Sequence, residues 1–226
     1  MTDNRLPRLL QLASPTLPVG AYSYSQGLES ATAAGIVVDR LTAENWIGDL
    51  LEYSIAFMEA PVLLRMIDSW QRSDYAAFGY WNALLLASRE TAELRGETVQ
   101  TGYSLRKLLT ELEGMDEKAL AYLVGIEEIS FPAAFAIAVA QWKVPAEEAV
   151  VAYLWAWLEN QVIAAVKTVP LGQTEGQRML LGLGNQLVAV AERASLIPDD
   201  DLGTFAPQLA ILSSQHETQY SRLFRS

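Results

Sequence analysis

Cysteine is absent from the 226-residue chain, and histidine occurs once, as His216. Without a thiol there is no disulfide, zinc finger, thiolate metal site, iron–sulfur cluster or cysteine nucleophile. A single imidazole excludes histidine-rich metal sites and makes any Ser-His-Asp arrangement depend on His216. Cationic residues are scarce too: 16 Lys and Arg stand against 27 Asp and Glu, a formal net charge of −11. So acidic a chain repels phosphate, which argues against nucleic acid or an anionic membrane as the main partner. No G-x-x-x-x-G-K-[ST] phosphate loop and no G-x-S-x-G elbow occur. Gly182 and Gly184 lie in a helical stretch with no strand before it, and read as helix packing. The residues from Met1 to Arg5 hold no apolar signal core, so a cytoplasmic location is expected. The longest unbroken apolar run, Ala149 to Leu158, is about half of the roughly 20 residues a spanning helix needs.

What is present is helical periodicity. Hydrophobic residues make up 51% and charged residues 19%, enough apolar content for a full core at this length. Trp46, Ile47, Leu50, Leu51, Ile55 and Met58 share one face of a helix, with Thr42 placed as its N-cap. Pro61 is expected to open the next helix. A further stretch starts at Ser73 and Asp74 and runs to about Leu112, with a break expected near Gly96 or Gly102. A helix follows from Asp116 to about Val124. Phe131 to Trp142 is apolar all round and reads as a central buried helix. Pro145, with Glu147 and Glu148 behind it, starts a helix lasting to Lys167; another spans Gln173 to Ala194, and a short one follows Asp199–Asp201 to near Leu212. Only Ile36-Val37-Val38 is strand-like, and no repeat or linker divides the chain. The expectation is one all-α domain over residues 1–226, a single compact bundle of about eight to ten helices.

Five features invite a chemical reading. Glu90, Glu93 and Glu97 recur at spacings of three and four, so they fall on one helical face. A solvated face with Arg89 and Arg95 as ion-pair partners, including an Arg89–Glu93 pair, is favoured over acid–base or metal chemistry there. Asp199–Asp201 lacks the spacing of a calcium loop and reads as a helix start. Glu159-Asn160-Gln161 interrupts an apolar helix; three consecutive residues sweep about 200°, so at least one faces a buried network or a subunit interface. The last segment, 213–226, interleaves Tyr220, Leu223 and Phe224 with Arg222 and Arg225, the residue types that dominate binding hot spots. It reads as a docking tail that orders on a partner. The stretch Ser14 to Ser25, with Pro15, Pro18 and Gly20, takes a defined non-helical path bearing Tyr22 and Tyr24.

Those two odd segments carry a resemblance. Leu9 to Pro15 with Pro18 to Glu29, Ser88 to Arg95, Tyr153 to Gln161 continuing through Lys167 and Pro170 to Gln173, and His216 to Ser226 together resemble the UreF family of urease accessory proteins. One departure is Ser130, where many relatives carry histidine, and residues 113–130 match least well. The resemblance implies an all-helical, non-enzymatic homodimer. It would join a UreD-type (UreH-type) accessory protein and a UreG-type GTPase to deliver nickel to apo-urease, coupling the GTPase cycle to metal release. Nickel and GTP would then be handled by the partner complex, with no cofactor or metal held by this chain. On this resemblance the N-terminal segment (1–24) and the tail face partners. The residues singled out are Tyr22, Ser23, Tyr24, Gln26 and Glu29 near the start, Lys167 at the end of the long helix, Gln173 and Arg178 beyond it, and His216, Glu217, Gln219, Tyr220, Arg222, Phe224 and Arg225 in the tail. Competing classes are an all-α enzyme using the Glu90/Glu93/Glu97 face and a peripheral membrane protein using Trp155 and Trp157.

Overall fold

The computed structural model describes residues 4–226. The reading of Met1 to Asp3, and that part of the 1–24 segment, lie outside the described residues. The elements are α1 (Arg5–Leu12), a short 3-10 turn (Ala21–Ser23), α2 (Leu28–Ala33), α3 (Arg40–Leu50), a wide-turned π segment (Leu51–Glu59), α4 (Ala60–Gln71), α5 (Tyr75–Ala87), α6 (Ala92–Glu111), α7 (Glu117–Gly125), α8 (Phe131–Gln141), α9 (Ala146–Thr168), α10 (Gln173–Gly184), α11 (Leu187–Leu196), a second 3-10 turn (Asp199–Asp201) and α12 (Pro207–His216). Ten helices reach nine residues or more, α1 and α2 are shorter, and the described residues contain no strand. The all-α expectation holds.

α8 is the hub. Its sequence has no polar face to turn outward, and eight of its residues are buried between α4, α6 and their neighbours. Ser130 caps it: the hydroxyl accepts from the Ala133 amide at 3.2 Å, and the Ser130 amide donates to the Asn82 side chain at 2.9 Å. Ser130 is fully buried at this cap. α9 is the second axis. Among the described residues it is the one helix long and apolar enough to cross a bilayer, yet 56% of its most apolar window is buried inside the fold, against α10, α11, α2 and α1.

From Arg40 to Gln71 the chain is helical without a stop, where separate helices were expected. Pro61 explains the wide turn. It has no amide to offer the Phe57 carbonyl four residues back, and its ring crowds that carbonyl. The loop 203–205 fills the gap: the Gly203 amide donates to the Phe57 carbonyl at 3.3 Å and the Phe205 amide to that of Tyr53 at 2.8 Å. The rings of Phe57 and Phe205 pack edge to face at 5.5 Å.

The helix expected from Asp199–Asp201 to near Leu212 is instead a 3-10 turn followed by α12 at Pro207–His216, and three further boundaries differ from the pattern reading. Asp39, not Thr42, caps α3: its carboxylate accepts the Thr42 amide at 2.9 Å while the Thr42 hydroxyl accepts the Asp39 amide at 3.0 Å, a reciprocal box. The α5–α6 break falls at Ser88–Thr91, where Thr91 caps α6. Gly96 and Gly102 lie inside α6, and Gly102 is there because the backbone of residues 129–131 presses against it. The stretch after Gln173 breaks into α10 and α11 at Asn185.

Candidate functional site

The richest polar site forms where the N-terminal loop, α6, α9 and the tail meet. Gln26 and Gly27 both adopt the left-handed conformation, at φ 51° and 79°, which turns the chain sharply into α2. A glutamine held there signals a backbone fixed by its surroundings. Its side chain supplies the reason. The Gln26 amide donates to Glu97 at 2.8 Å, and its oxygen accepts from Trp157 Nε1 at 2.8 Å and Gln161 Nε2 at 3.2 Å. Asn160 donates to the Tyr24 carbonyl at 3.1 Å. The polar triplet of α9 is thus divided: Asn160 and Gln161 hold the N-terminal loop, while Glu159 stays half-buried.

The tail folds back onto this loop, where the sequence reading had it ordering on a partner. Glu29, in the first turn of α2, accepts the amides of Leu223 and Phe224 at 2.7 and 2.8 Å. The Arg225 amide donates to the Ser23 carbonyl at 2.8 Å, and the Ser226 carbonyl accepts from both the amide and the hydroxyl of Ser25, at 2.8 and 2.6 Å. Phe224 and Ser226 are buried. Upstream, the fully buried His216 presents Nδ1 to Glu93 at 2.8 Å and Nε2 to Glu29 at 3.3 Å. Arg222 bonds the other Glu93 oxygen at 2.8 Å, and Gln219 bridges to Ser30 and Glu29. Lys167 lies over the rings of Tyr22 and Phe224, 5.9 and 5.5 Å from their centroids.

Below the loop is a cavity of about 100 Å³. Leu12, Pro15, Val19, Phe131 and Ile163 give it an apolar wall; Glu59, Arg89, Glu97 and Tyr153 form its polar floor. Arg89 bonds Glu59 at 2.7 Å, the Tyr153 hydroxyl donates to the other Glu59 oxygen, and Arg89 Nε is buried without a partner. Burial pushes the Glu97 carboxyl up to about 7, against the hydrogen bond from Gln26 and the charge of Arg89. Burial, then the charge of Glu59, raises the Tyr153 phenol well above its ordinary value.

The glutamate face therefore needs correcting. Arg89 precedes the first turn of α6, so no Arg89–Glu93 pair exists along one helix. Arg89 turns to Glu59 instead, and Glu97 is buried rather than solvated. The three glutamates diverge: Glu90 meets Thr204, Glu93 meets His216 and Arg222, and Glu97 meets Gln26 and Ser226. Among the described residues no three His, Asp or Glu side chains gather as metal ligands.

Of the residues singled out from the sequence, Tyr22, Lys167, Glu217, Tyr220, Arg222 and Arg225 are exposed around this site. Tyr24, His216 and Phe224 are buried, and Ser23, Gln26, Glu29 and Gln219 are partly so; their bonds and packing run within the chain. Gln173 and Arg178 stand apart on α10. Arg178 pairs with Glu175, and neither bonds the loop or the tail. Trp157 is buried and only Trp155 reaches the surface, which removes half of the proposed membrane anchor. Pattern reading missed Glu59, Tyr153, Ser25 and Ser226. A signal for Glu59 was available: it is the one charge in the apolar run Ile55 to Leu64.

Fold and site define an all-α protein whose tail is bonded to its N-terminal loop, beside a cavity lined by that loop, α6 and α9. The UreF family profile matches residues 37–184. The urease accessory protein UreF of an Azoarcus species is 54% identical over 223 residues, covering 98% of this chain and 95% of the relative. Those of Dechloromonas aromatica and a Janthinobacterium species are each 49% identical, covering 98% and 100% of both chains respectively. The chain belongs to the UreF family of urease accessory proteins.

Proposed function

We propose that this chain takes part in urease maturation as a non-enzymatic scaffold. It works as a cytoplasmic homodimer that joins a UreD-type accessory protein and a UreG-type GTPase and gates nickel insertion into apo-urease. Nickel and GTP are handled by those partners. The observation that carries the reading is the docked tail. Its backbone is pinned to Glu29 and Ser23, while Tyr220 and Leu223 stand 104% and 63% exposed on it, with Tyr22 58% exposed beside them. Rigid aromatic and aliphatic side chains displayed on a pinned backbone lose little entropy on binding, which suits a docking surface.

Deleting the tail would also uncover the Phe224 pocket and leave Glu29 without its amide donors, so point variants are the cleaner test. Tyr220→Ala with Leu223→Ser is expected to leave the helical circular-dichroism signal and melting temperature unchanged. Capture of a UreD-type protein should weaken at least about tenfold, and urease activation should fall with it. Undiminished capture and activation would remove the tail from the interface.

A further inference from the structure

Two buried carboxylates share the neighbourhood of one guanidinium. Glu59 is 3% exposed and Glu97 8%. Arg89 is bonded to Glu59, whereas Glu97 accepts only from neutral groups, the Gln26 amide at 2.8 Å and the Ser226 hydroxyl at 3.1 Å. The charges do not balance. Glu59 from the π segment and Arg89 from the α5–α6 link cancel, Tyr153 from α9 is neutral, and ionised Glu97 adds an uncompensated buried charge. Its cover on one side is the strap 223–226, a non-helical segment held by Glu29, Ser23 and Ser25.

We propose that Glu97 is a proton-operated lock on the two chain ends, a protonated carboxyl holding the Ser226 strap and the Gln26 loop closed and its ionisation loosening the strap. Opening lets water reach the carboxylate without breaking any helix. The upstream tail has separate anchors, with His216 between Glu29 and Glu93 and Arg222 on Glu93, so release is confined to residues 223–226. The direction follows from linkage. With the strap closed the carboxyl titrates near 7; with it open the group is hydrated and returns toward its ordinary 4.5. The closed form binds the proton more tightly. Closure is therefore favoured most below 4.5, weakens as pH rises, and reaches its minimum above 7. That such release governs partner capture rests on the docking role proposed above; the proton dependence itself does not.

Amide hydrogen exchange on the full chain without partners tests this between pH 5.5 and 8.5, after correction for the intrinsic pH dependence of exchange. The reporters are the amides of Ser25, Leu223, Phe224 and Arg225. Their protection in the wild-type chain should fall about 10- to 100-fold across that range. In Glu97→Gln, where no proton can leave, it should change less than about twofold. A flat wild-type profile overturns the lock whatever the variant does, and so does a Glu97→Gln profile as steep as the wild type. Carbon NMR of the glutamate carboxyls supplies a further check that needs no substitution. A Glu97 midpoint coinciding with the loss of protection supports the lock, and one in the ordinary carboxylate range overturns it.

Discussion

Replacing Arg89 by methionine is expected to destabilise the fold by about 3–5 kcal/mol, measured as a shift of the urea unfolding midpoint. The Arg89 and Glu59 side chains are 12% and 4% exposed, so bulk solvent compensates little when the guanidinium is removed. Glu59 would keep only the Tyr153 hydroxyl. The loss belongs to the orphaned charge more than to the ion pair itself. Adding Glu59→Gln to Arg89→Met should therefore restore most of it, because a neutral amide of the same shape needs no counter-ion. A single-variant loss below about 1 kcal/mol would show that solvent reaches the cluster. A double variant no more stable than the single one would show that Arg89 acts by packing.

Two glycines of α6 should respond in opposite directions. A Cβ on Gly102 would meet the Ile129 carbonyl oxygen, the Ser130 carbonyl carbon at 2.6 Å and the Phe131 amide nitrogen at 2.8 Å. All three are backbone atoms at the start of α8, so no rotamer change relieves the clash. Gly102→Ala is expected at the upper end of the overpacking range, about 3 kcal/mol destabilising. At Gly96, exposed in the same helix, nothing lies within 4 Å of an added Cβ. Gly96→Ala should stabilise by about 0.5–1 kcal/mol, the ordinary helix-propensity gain. Thermal melts of the two variants beside the wild type decide the matter. Equal shifts would mean that α6 and α8 are free to separate and that the close approach does not hold the hub.

Much of the helix inventory was legible because 3.6-residue periodicity is a local property. The buried character of α8 follows from a run without a polar face, and the extent of α9 from Pro145 with its acidic first turn at one end and Pro170 beyond the other. Boundaries slipped where long-range contact outweighed local preference. Glycine usually ends a helix, yet Gly102 sits inside α6 because another backbone comes too close for a side chain. Proline usually starts one, yet Pro61 sits inside a continuous helix because Gly203 donates to the carbonyl it leaves free. The docking residues were legible as types, and their division into anchors and displayed groups was not. Tyr220 and Phe224 look alike in the sequence; one is fully exposed and the other buried under Lys167.

Composition and periodicity by themselves determined an all-α chain without cysteine chemistry, with unusual polar and aromatic segments at both ends. Those are properties of residue type and spacing along one strand of covalent chain. Tertiary structure alone decided that Glu29 holds residues 194 positions away, that Arg89 serves Glu59 instead of Glu93, and that Glu97 is buried beside Ser226. Such pairings depend on which segments the core brings together, and a charge has no way to record in its own neighbourhood which distant partner will desolvate it.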